Sequence, residues 1–182
     1  ERMFALTATA TQRVLDDICR EFRIEPQCAV RTGFYRPNLT LLTTPVDASQ
    51  RDSELAERLR SRPPGPAIVY VTLQRTAEEV AARLVRAGFP ARAYHAGMKD
   101  DDRAAAQDWF LGSDRGVVVA TIAFGMGIDK ANIRYIYHYN PPKSLENFAQ
   151  EIGRAGRDGQ PATCEVLFVP DDLNVLENFA YG

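Results

Sequence analysis

The chain alternates short apolar runs with amphipathic stretches, and this alternation is the feature that most constrains its fold. Residues 67–71, AIVYV, form an uninterrupted apolar run, which is typical of a strand buried on both faces of a parallel sheet. Further strands are predicted at residues 39–44, 91–95, 117–121, 133–139 and 164–169. Helices are predicted at residues 49–60, 76–87, 101–111, 144–159 and 172–179. This repetition predicts an α/β fold, an open and mostly parallel sheet with helices on both faces.

Start and stop signals locate the helix that follows residues 67–71. Thr76 and Glu79 have the spacing of a capping box at its beginning, and Gly88 provides its end. The side chains that the helical period predicts to face the core are Val80, Leu84 and Val85.

The first 38 residues follow this alternation less clearly. A helix capped by Thr11 is predicted from the spacing of its apolar residues, and residues 28–31 form a candidate strand. Those apolar residues are Val14, Leu15, Ile18, Cys19 and Phe22. Glycine and proline interrupt residues 33–38, which we interpret as a linker or a seam between domains.

Composition excludes several classes of protein. The net charge of −2 argues against a strongly basic, self-sufficient nucleic-acid module. No apolar run approaches the roughly 20 residues of a membrane span, and no signal peptide is recognisable, so we expect no membrane partner and a cytoplasmic location. The three cysteines lack any C-x-x-C spacing, so neither a disulfide framework nor a metal site is predicted.

Residues 144–159, SLENFAQEIGRAGRDG, predict a helix with two functional faces. Ser144 is a candidate N-cap. On a helical wheel the apolar stripe consists of Leu145, Phe148, Ala149 and Ile152, and the opposite polar stripe consists of Gln150, Arg154 and Arg157. Two guanidiniums on an anchored scaffold suit a phosphate, whereas the alternative is an ordinary amphipathic helix with solvated arginines.

Four loops follow predicted strands, at residues 72–76, 95–97, 121–130 and 140–144. In open α/β sheets, ligands bind beyond the carboxyl ends of the strands, so a site is expected among these loops. In the loop 121–130, glycines allow a phosphate to approach the backbone, and two side chains offer oxygen atoms to a ligand. These four residues are Thr121, Gly125, Gly127 and Asp129. The alternative is a tight turn followed by a cap.

The chain lacks a phosphate cradle of its own. It contains no G-x-x-x-x-G-K-[ST] loop and no glycine-lysine pair. The acidic residues 100–102 begin a helix, where negative charge complements the helix dipole, and His95 and His138 lack a matching nucleophile. Arginines oriented towards phosphate without a cradle suggest an arginine finger, which completes a nucleotide site built elsewhere.

Four motifs follow one another along the chain: LTATAT (6–11), YHAGM (94–98), ATIAFGMGIDK (120–130) and QEIGRAGRDG (150–159). Together and in this order they resemble the RecQ family of ATP-dependent DNA helicases, a branch of superfamily 2. The segments RPN (36–38) and HYNPPKSLENF (138–148) strengthen the likeness. The resemblance covers nearly the whole chain and implies a RecA-like fold of the P-loop NTPase type. Residues 1–32 would be the tail of the first RecA-like lobe, and residues 33–182 the second lobe, the helicase C-terminal domain.

The resemblance also implies roles for individual residues. Arg157 would be the arginine finger, Arg154 a second phosphate or coupling arginine, and Gln150 part of the same network. Asp129 and Gly127 would lie on the nucleotide side of the loop. The face that tracks DNA would include Thr72, His95 and Thr121. The chain departs from the family at residues 72–74, where TLQ replaces a common N-S-R, so the resemblance does not supply the DNA-backbone contact of that motif.

The implied partners are ATP with Mg²⁺, held mainly by the first lobe, that lobe itself, and single-stranded or partly duplex DNA. Unwinding from 3′ to 5′ is implied by likeness alone. The P-loop would lie before Glu1, and zinc would belong only to regions beyond Gly182. We therefore expect the fragment alone to be inactive. Two alternatives remain open: a non-catalytic module that binds nucleic acid or protein, and a lobe of an RNA helicase.

Overall fold

The computed structural model describes residues 4–5, 12–30, 35–125 and 128–172. Its contacts divide the chain into two compact units, Glu1–Pro37 and Asn38–Gly182. The domain boundary after residue 32 stays a prediction. The motif at residues 6–11, the cap Thr11, Gly127 and most of the predicted last helix lie outside the described residues.

In the described residues of the first unit, helix α1 (Gln12–Glu21) confirms the helix expected there. The chain leaves it through Arg23 in the left-handed region (φ 53°), and the Ile24 N–H donates to the Cys19 carbonyl at 2.8 Å. A short 3-10 helix follows at Pro26–Cys28. The strand predicted from residue 28 is therefore wrong for residues 28–30, because Pro26 starts a turn whose last N–H, from Ala29, bonds back to it.

The second unit is built on a six-stranded parallel sheet with the order β1-β6-β5-β2-β4-β3. Its strands are β1 (Leu39–Pro45), β2 (Ala67–Tyr70), β3 (Ala91–Tyr94), β4 (Val117–Ala120), β5 (Tyr135–His138) and β6 (Ala162–Phe168). The strands β2 and β4 are buried along their whole length, as the uninterrupted apolar runs predict. The predicted fold class is confirmed.

Helices cover both faces of this sheet. They are α2 (Arg51–Ser61), α3 (Gln74–Arg86), α4 (Asp100–Gly112) and α5 (Leu145–Ile152). One core cluster joins α2 and α3 to alternate strand residues such as Val69 and Val119. The other joins α4 and the end of α5 to residues that point the opposite way, such as Ile68 and Val118. Successive strand residues face opposite sides, so two cores share one sheet.

The start and the inner face of α3 differ from the prediction. The helix begins at Gln74, with Leu73 as its N-cap and no side-chain cap, so Thr76 lies inside the helix and the predicted capping box is wrong. Glu79 instead pairs with Arg75 at 2.7 Å. Val85 is 54% exposed, because the buried stripe consists of Ala77, Val80, Ala81 and Leu84. Gly88 follows the helix with φ 89°, which confirms it as the stop signal.

Candidate functional site

The strand order brings the four predicted loops to one edge of the sheet. Tyr70 of β2 pairs with Ala120 of β4 and with His138 of β5, and Ala120 also pairs with Tyr94 of β3. All strands are parallel, so the loops that follow these residues leave the sheet side by side. The residues predicted to contact nucleic acid, Thr72, Thr121 and His95, follow three adjacent strands. Their role stays a prediction.

Hydrogen bonds connect these neighbouring loops to one another and to the ends of adjacent strands. The Thr72 N–H donates to Asn140 Oδ1 at 3.2 Å, and the Thr121 N–H donates to the Tyr94 carbonyl at 3.2 Å. The His95 ring lies 3.1 Å from Glu78 Oε1. Thr72 is exposed, whereas Thr121 and His95 are buried. Of these three, Thr72 is therefore the one whose side chain lies open to a ligand in this conformation.

Helix α5 starts as predicted but buries a different face. The Ser144 hydroxyl accepts from the Asn147 N–H at 3.2 Å, which confirms the N-cap. Leu145, however, is 82% exposed and Ala149 is also exposed, so the predicted apolar stripe is wrong at two of its four positions. The buried residue of the helix is Glu151. An acid among apolar positions carries no periodicity signal, which is why helical spacing could not identify it.

Glu151 is buried because it meets a buried histidine. Its Oε2 lies 2.7 Å from Nε2 of His138. His138 is fully buried, on the face of the sheet that α5 covers. The His138 ring stacks on Tyr70 with centroids 5.6 Å apart, and Phe148 of α5 lies 5.2 Å away. Neither His138 nor Glu151 is among the site residues that the sequence predicts.

The predicted arginines lie beyond the end of α5 rather than on it. The helix ends at Ile152, and residues 153–158 form successive turns that pass through Gly156 at φ 54°. A side chain at Gly156 would strain this turn, and its Cβ would lie 2.5 Å from Asn38 Nδ2. The turns direct both guanidiniums to the loop after β4.

Arg154 packs closely against that loop. Its Nη1 donates to the Gly125 carbonyl, and a Cβ on Gly125 would lie only 2.2 Å from Arg154 Nη2. Gly125 is therefore required by the close approach of the guanidinium. The Tyr70 hydroxyl donates to the neighbouring Phe124 carbonyl at 3.3 Å. Burial raises the pKa of Tyr70 well above its usual value, although the nearby Arg154 charge opposes this shift.

Arg157 is held much more loosely than Arg154. Its Nη1 lies 3.3 Å from the Ile128 carbonyl and 3.8 Å from Asp129 Oδ1, and its Nε lies 3.4 Å from the Gly153 carbonyl. The two hydrogen bonds to carbonyls are long, the contact with Asp129 is a loose ion pair, and 39% of the side chain is exposed. The Asp129 side chain is 96% exposed. Arg157 can therefore be redirected at small cost.

The remaining predicted residue, Gln150, is exposed on α5. The structure thus brings Arg154, Arg157 and Asp129 together at one loop. Among the described residues, no group of three His, Cys, Asp or Glu side chains could hold a metal ion. In the same part of the chain, no helix is both long and apolar enough to cross a membrane.

This arrangement defines a RecA-like α/β domain with an arginine pair beside the carboxyl edge of its sheet. The profile of the helicase conserved C-terminal domain matches residues 50–159. The chain therefore belongs to the helicase conserved C-terminal domain family.

Within that family the similar proteins are RecQ-type helicases. The chain is 43% identical over 173 residues to "ATP-dependent DNA helicase RecQ" of Bacillus subtilis, which covers 95% of this chain and 29% of that protein. It is 37% identical over 186 residues to mouse "Bifunctional 3'-5' exonuclease/ATP-dependent helicase WRN". This alignment covers 97% of the present chain and 13% of the mouse protein. The chain spans less than a third of the length of these curated relatives.

Proposed function

We propose that this domain is the second RecA-like lobe of an ATP-dependent DNA helicase, and that it supplies Arg157 to ATP held by a first lobe of the same protein. The observation that carries the proposal is the contrast between the two arginines. Arg154 is fixed against Gly125, whereas Arg157 is half-exposed, with only long contacts to Ile128, Gly153 and Asp129.

The loose contacts of Arg157 suit an arginine finger. Such a residue must leave its resting contacts when a nucleotide arrives, and weak contacts cost little to break. The guanidinium would then stabilise negative charge on the γ-phosphoryl group as it is transferred to water. Arg154 would support the loop from which Arg157 and Asp129 reach the nucleotide.

ATP and Mg²⁺ would be held mainly outside this chain. The chain has no glycine-lysine pair, and therefore no P-loop lysine. The arginines of this chain can donate hydrogen bonds to a phosphate, but they cannot hold a Mg²⁺ ion. The domain alone is therefore expected neither to hydrolyse ATP nor to bind it with micromolar affinity, and isothermal titration calorimetry on residues 1–182 tests this.

The DNA-facing surface is proposed at the loops after β2, β3 and β4. Thr72 is exposed there, and its backbone is tied to the loop after β5 through Asn140. DNA bound at this edge would lie on the same end of the sheet as the arginine pair. Stimulation of ATP hydrolysis by single-stranded DNA, with RNA as the comparison, tests the choice of nucleic acid.

The test of the arginine finger is Arg157→Ala in the full-length protein. We expect ATP and DNA binding to be retained while DNA-stimulated hydrolysis falls about 10³-fold or more. Arg86→Ala is the matched control, because Arg86 is an exposed arginine in the last turn of α3. Undiminished turnover in Arg157→Ala would refute the assignment.

A further inference from the structure

Helix α5 is attached to the sheet by a polar pair as well as by apolar contacts. Glu151 is its buried residue, while Phe148 and Ile152 are half-buried and Leu145 is exposed. An acid at the centre of a helix contact is costly unless it is paired. Such a residue is therefore a candidate for a specific role.

The pair connects α5 to the centre of the sheet. Glu151 Oε2 lies 2.7 Å from His138 Nε2, and β5 lies between β6 and β2. The histidine ring is enclosed by Tyr70 on β2 and Phe148 on α5. With His138 fully buried between two aromatic rings, its imidazole fixes the position of the carboxylate.

The backbone of Glu151 continues this connection to the arginines. Its carbonyl accepts from the Arg154 N–H at 3.3 Å and from the Gly153 N–H that caps the helix. Arg154 in turn donates to the Gly125 carbonyl in the loop after β4. A continuous set of contacts therefore runs from His138 through Glu151 and Arg154 to Gly125.

We propose that Glu151 is a positioning residue, which holds Arg154 in place through its hydrogen bond to His138. Without that bond, the last turn of α5 would lose its polar connection to the sheet and would depend on apolar contacts such as those of Phe148 and Ile152. The turn could then shift, and Arg154 would lose its place beside Gly125. The consequence for ATP hydrolysis rests on the proposed function.

The same pair also borders the loops proposed to face DNA. A cavity of about 70 Å³ is lined by His138 and Glu151 together with Thr72 and Asn140. Asn140 accepts the hydrogen bond from the Thr72 N–H. The positioning pair therefore shares a cavity with the exposed threonine.

The experiment compares three variants of the full-length protein, Glu151→Ala, Glu151→Gln and Ile152→Ala. Glutamine keeps the shape of the side chain and a hydrogen bond to His138. Ile152→Ala is the matched control, because it weakens the packing of the same helix turn against the same core without touching the pair. The measurements are the DNA-stimulated kcat, the KM for ATP and the unfolding temperature.

We expect Glu151→Ala to lower kcat by about 10²-fold, the loss that an ångström of misplacement can cause, with little change in KM. Glu151→Gln should restore most of the turnover. Ile152→Ala should lower the unfolding temperature with a much smaller loss of kcat. Equal losses of kcat in Glu151→Ala and Ile152→Ala, at equal losses of unfolding temperature, would overturn the proposal.

A double-mutant cycle with Arg154→Lys separates this inference from the proposed function. If Glu151 acts through Arg154, adding Glu151→Ala to Arg154→Lys should change kcat and unfolding temperature by less than it does alone. Additive effects on both would contradict the positioning role. Arg157→Ala could leave hydrolysis intact while the unfolding temperatures of the Glu151→Ala and Arg154→Lys cycle remain non-additive. That result would refute the arginine-finger assignment and support the positioning role of Glu151.

Discussion

Two carboxylates are buried on opposite faces of the same sheet, and their surroundings differ. Glu165 of β6, on the side of α2, accepts from Thr44 at 2.6 Å, from Arg58 at 3.1 Å and from Arg62. Glu151, on the side of α5, is paired with His138. Among the described residues, His138 Nδ1 and Arg154 Nε are buried without a hydrogen-bond partner, whereas no buried atom of the Glu165 cluster lacks one.

This difference in hydrogen bonding indicates different roles for the Glu165 cluster and the Glu151 cluster. A buried charge whose donors are all matched holds elements together, and Glu165 connects β6 to β1 and to the end of α2. The Glu151 cluster leaves His138 Nδ1 and Arg154 Nε without a partner in the part of the protein that the structure describes, so these buried atoms are available to a water molecule or a ligand.

The largest effect on stability is expected for Glu165→Ala. It would leave Arg58 and Arg62 without their common carboxylate, and breaking a buried ion pair costs about 3 kcal/mol or more of unfolding free energy. Both arginine side chains are partly exposed, at 29% and 18%, which keeps the expected loss near that lower value. Urea unfolding measures it.

The control for this prediction is Glu54→Ala. Glu54 also pairs with Arg58, at 3.5 Å, but it is 36% exposed, so its loss should cost no more than about 0.5 kcal/mol. A Glu151→Ala variant that destabilises the protein as much as Glu165→Ala would remove the distinction between the two clusters.

On the α5 side, Gly125→Ala should affect activity more than stability. The added Cβ would lie 2.2 Å from the Arg154 guanidinium, so the arginine must move away. We expect DNA-stimulated hydrolysis by the full-length protein to fall about 10²-fold, because the arginine is displaced by an ångström or more. Steady-state ATPase kinetics check this value.

Gly112→Ala is the matched control, because a Cβ at this last residue of α4 meets nothing within 4 Å. Its activity should equal that of the unmodified protein. Equal activity in Gly125→Ala would mean that the contact between Arg154 and Gly125 is dispensable.

The Glu165 cluster should also make stability depend on acid. Burial raises the pKa of Glu165, but hydrogen bonds from Thr44, Arg62 and Arg58 together hold it below the usual 4.5. The stabilisation is therefore complete above the unfolded-state pKa of about 4.5 and is lost as the pH falls through the lower folded-state pKa. Glu165→Gln should remove this dependence.

Unfolding free energies of the unmodified protein and of Glu165→Gln, measured between about pH 6 and pH 3, test that statement. The difference between the two proteins should shrink as the pH falls below 4.5. A difference that stays constant over this range would show that the charge of Glu165 does not contribute.

The smallest effect is expected for Leu145→Ala. Leu145 is 82% exposed, so its truncation should change the unfolding free energy by no more than about 0.5 kcal/mol. Phe148→Ala, which removes the ring beside His138, should cost clearly more. Thermal unfolding of the two variants compares them, and an equal loss would contradict the observed face of α5.

The strands and the sheet class followed from local information, because an uninterrupted apolar run as short as residues 67–71 is typical of a strand covered on both faces. The arginine pair was also identifiable, from its motif. The buried face of α5 was not, since Glu151 is explained only by His138 on another strand. Likewise, the close contact between Gly125 and Arg154 joins residues 29 positions apart, which no helical period relates.

The central claim is that Arg157 moves from its resting contacts to the γ-phosphate of ATP. A structure of the full-length protein with a non-hydrolysable ATP analogue and single-stranded DNA tests it most directly. The account predicts that the Arg157 guanidinium has left the Ile128 carbonyl and donates to a γ-phosphate oxygen at about 2.8 Å. A guanidinium that still contacts Ile128 and points away from the nucleotide would contradict it.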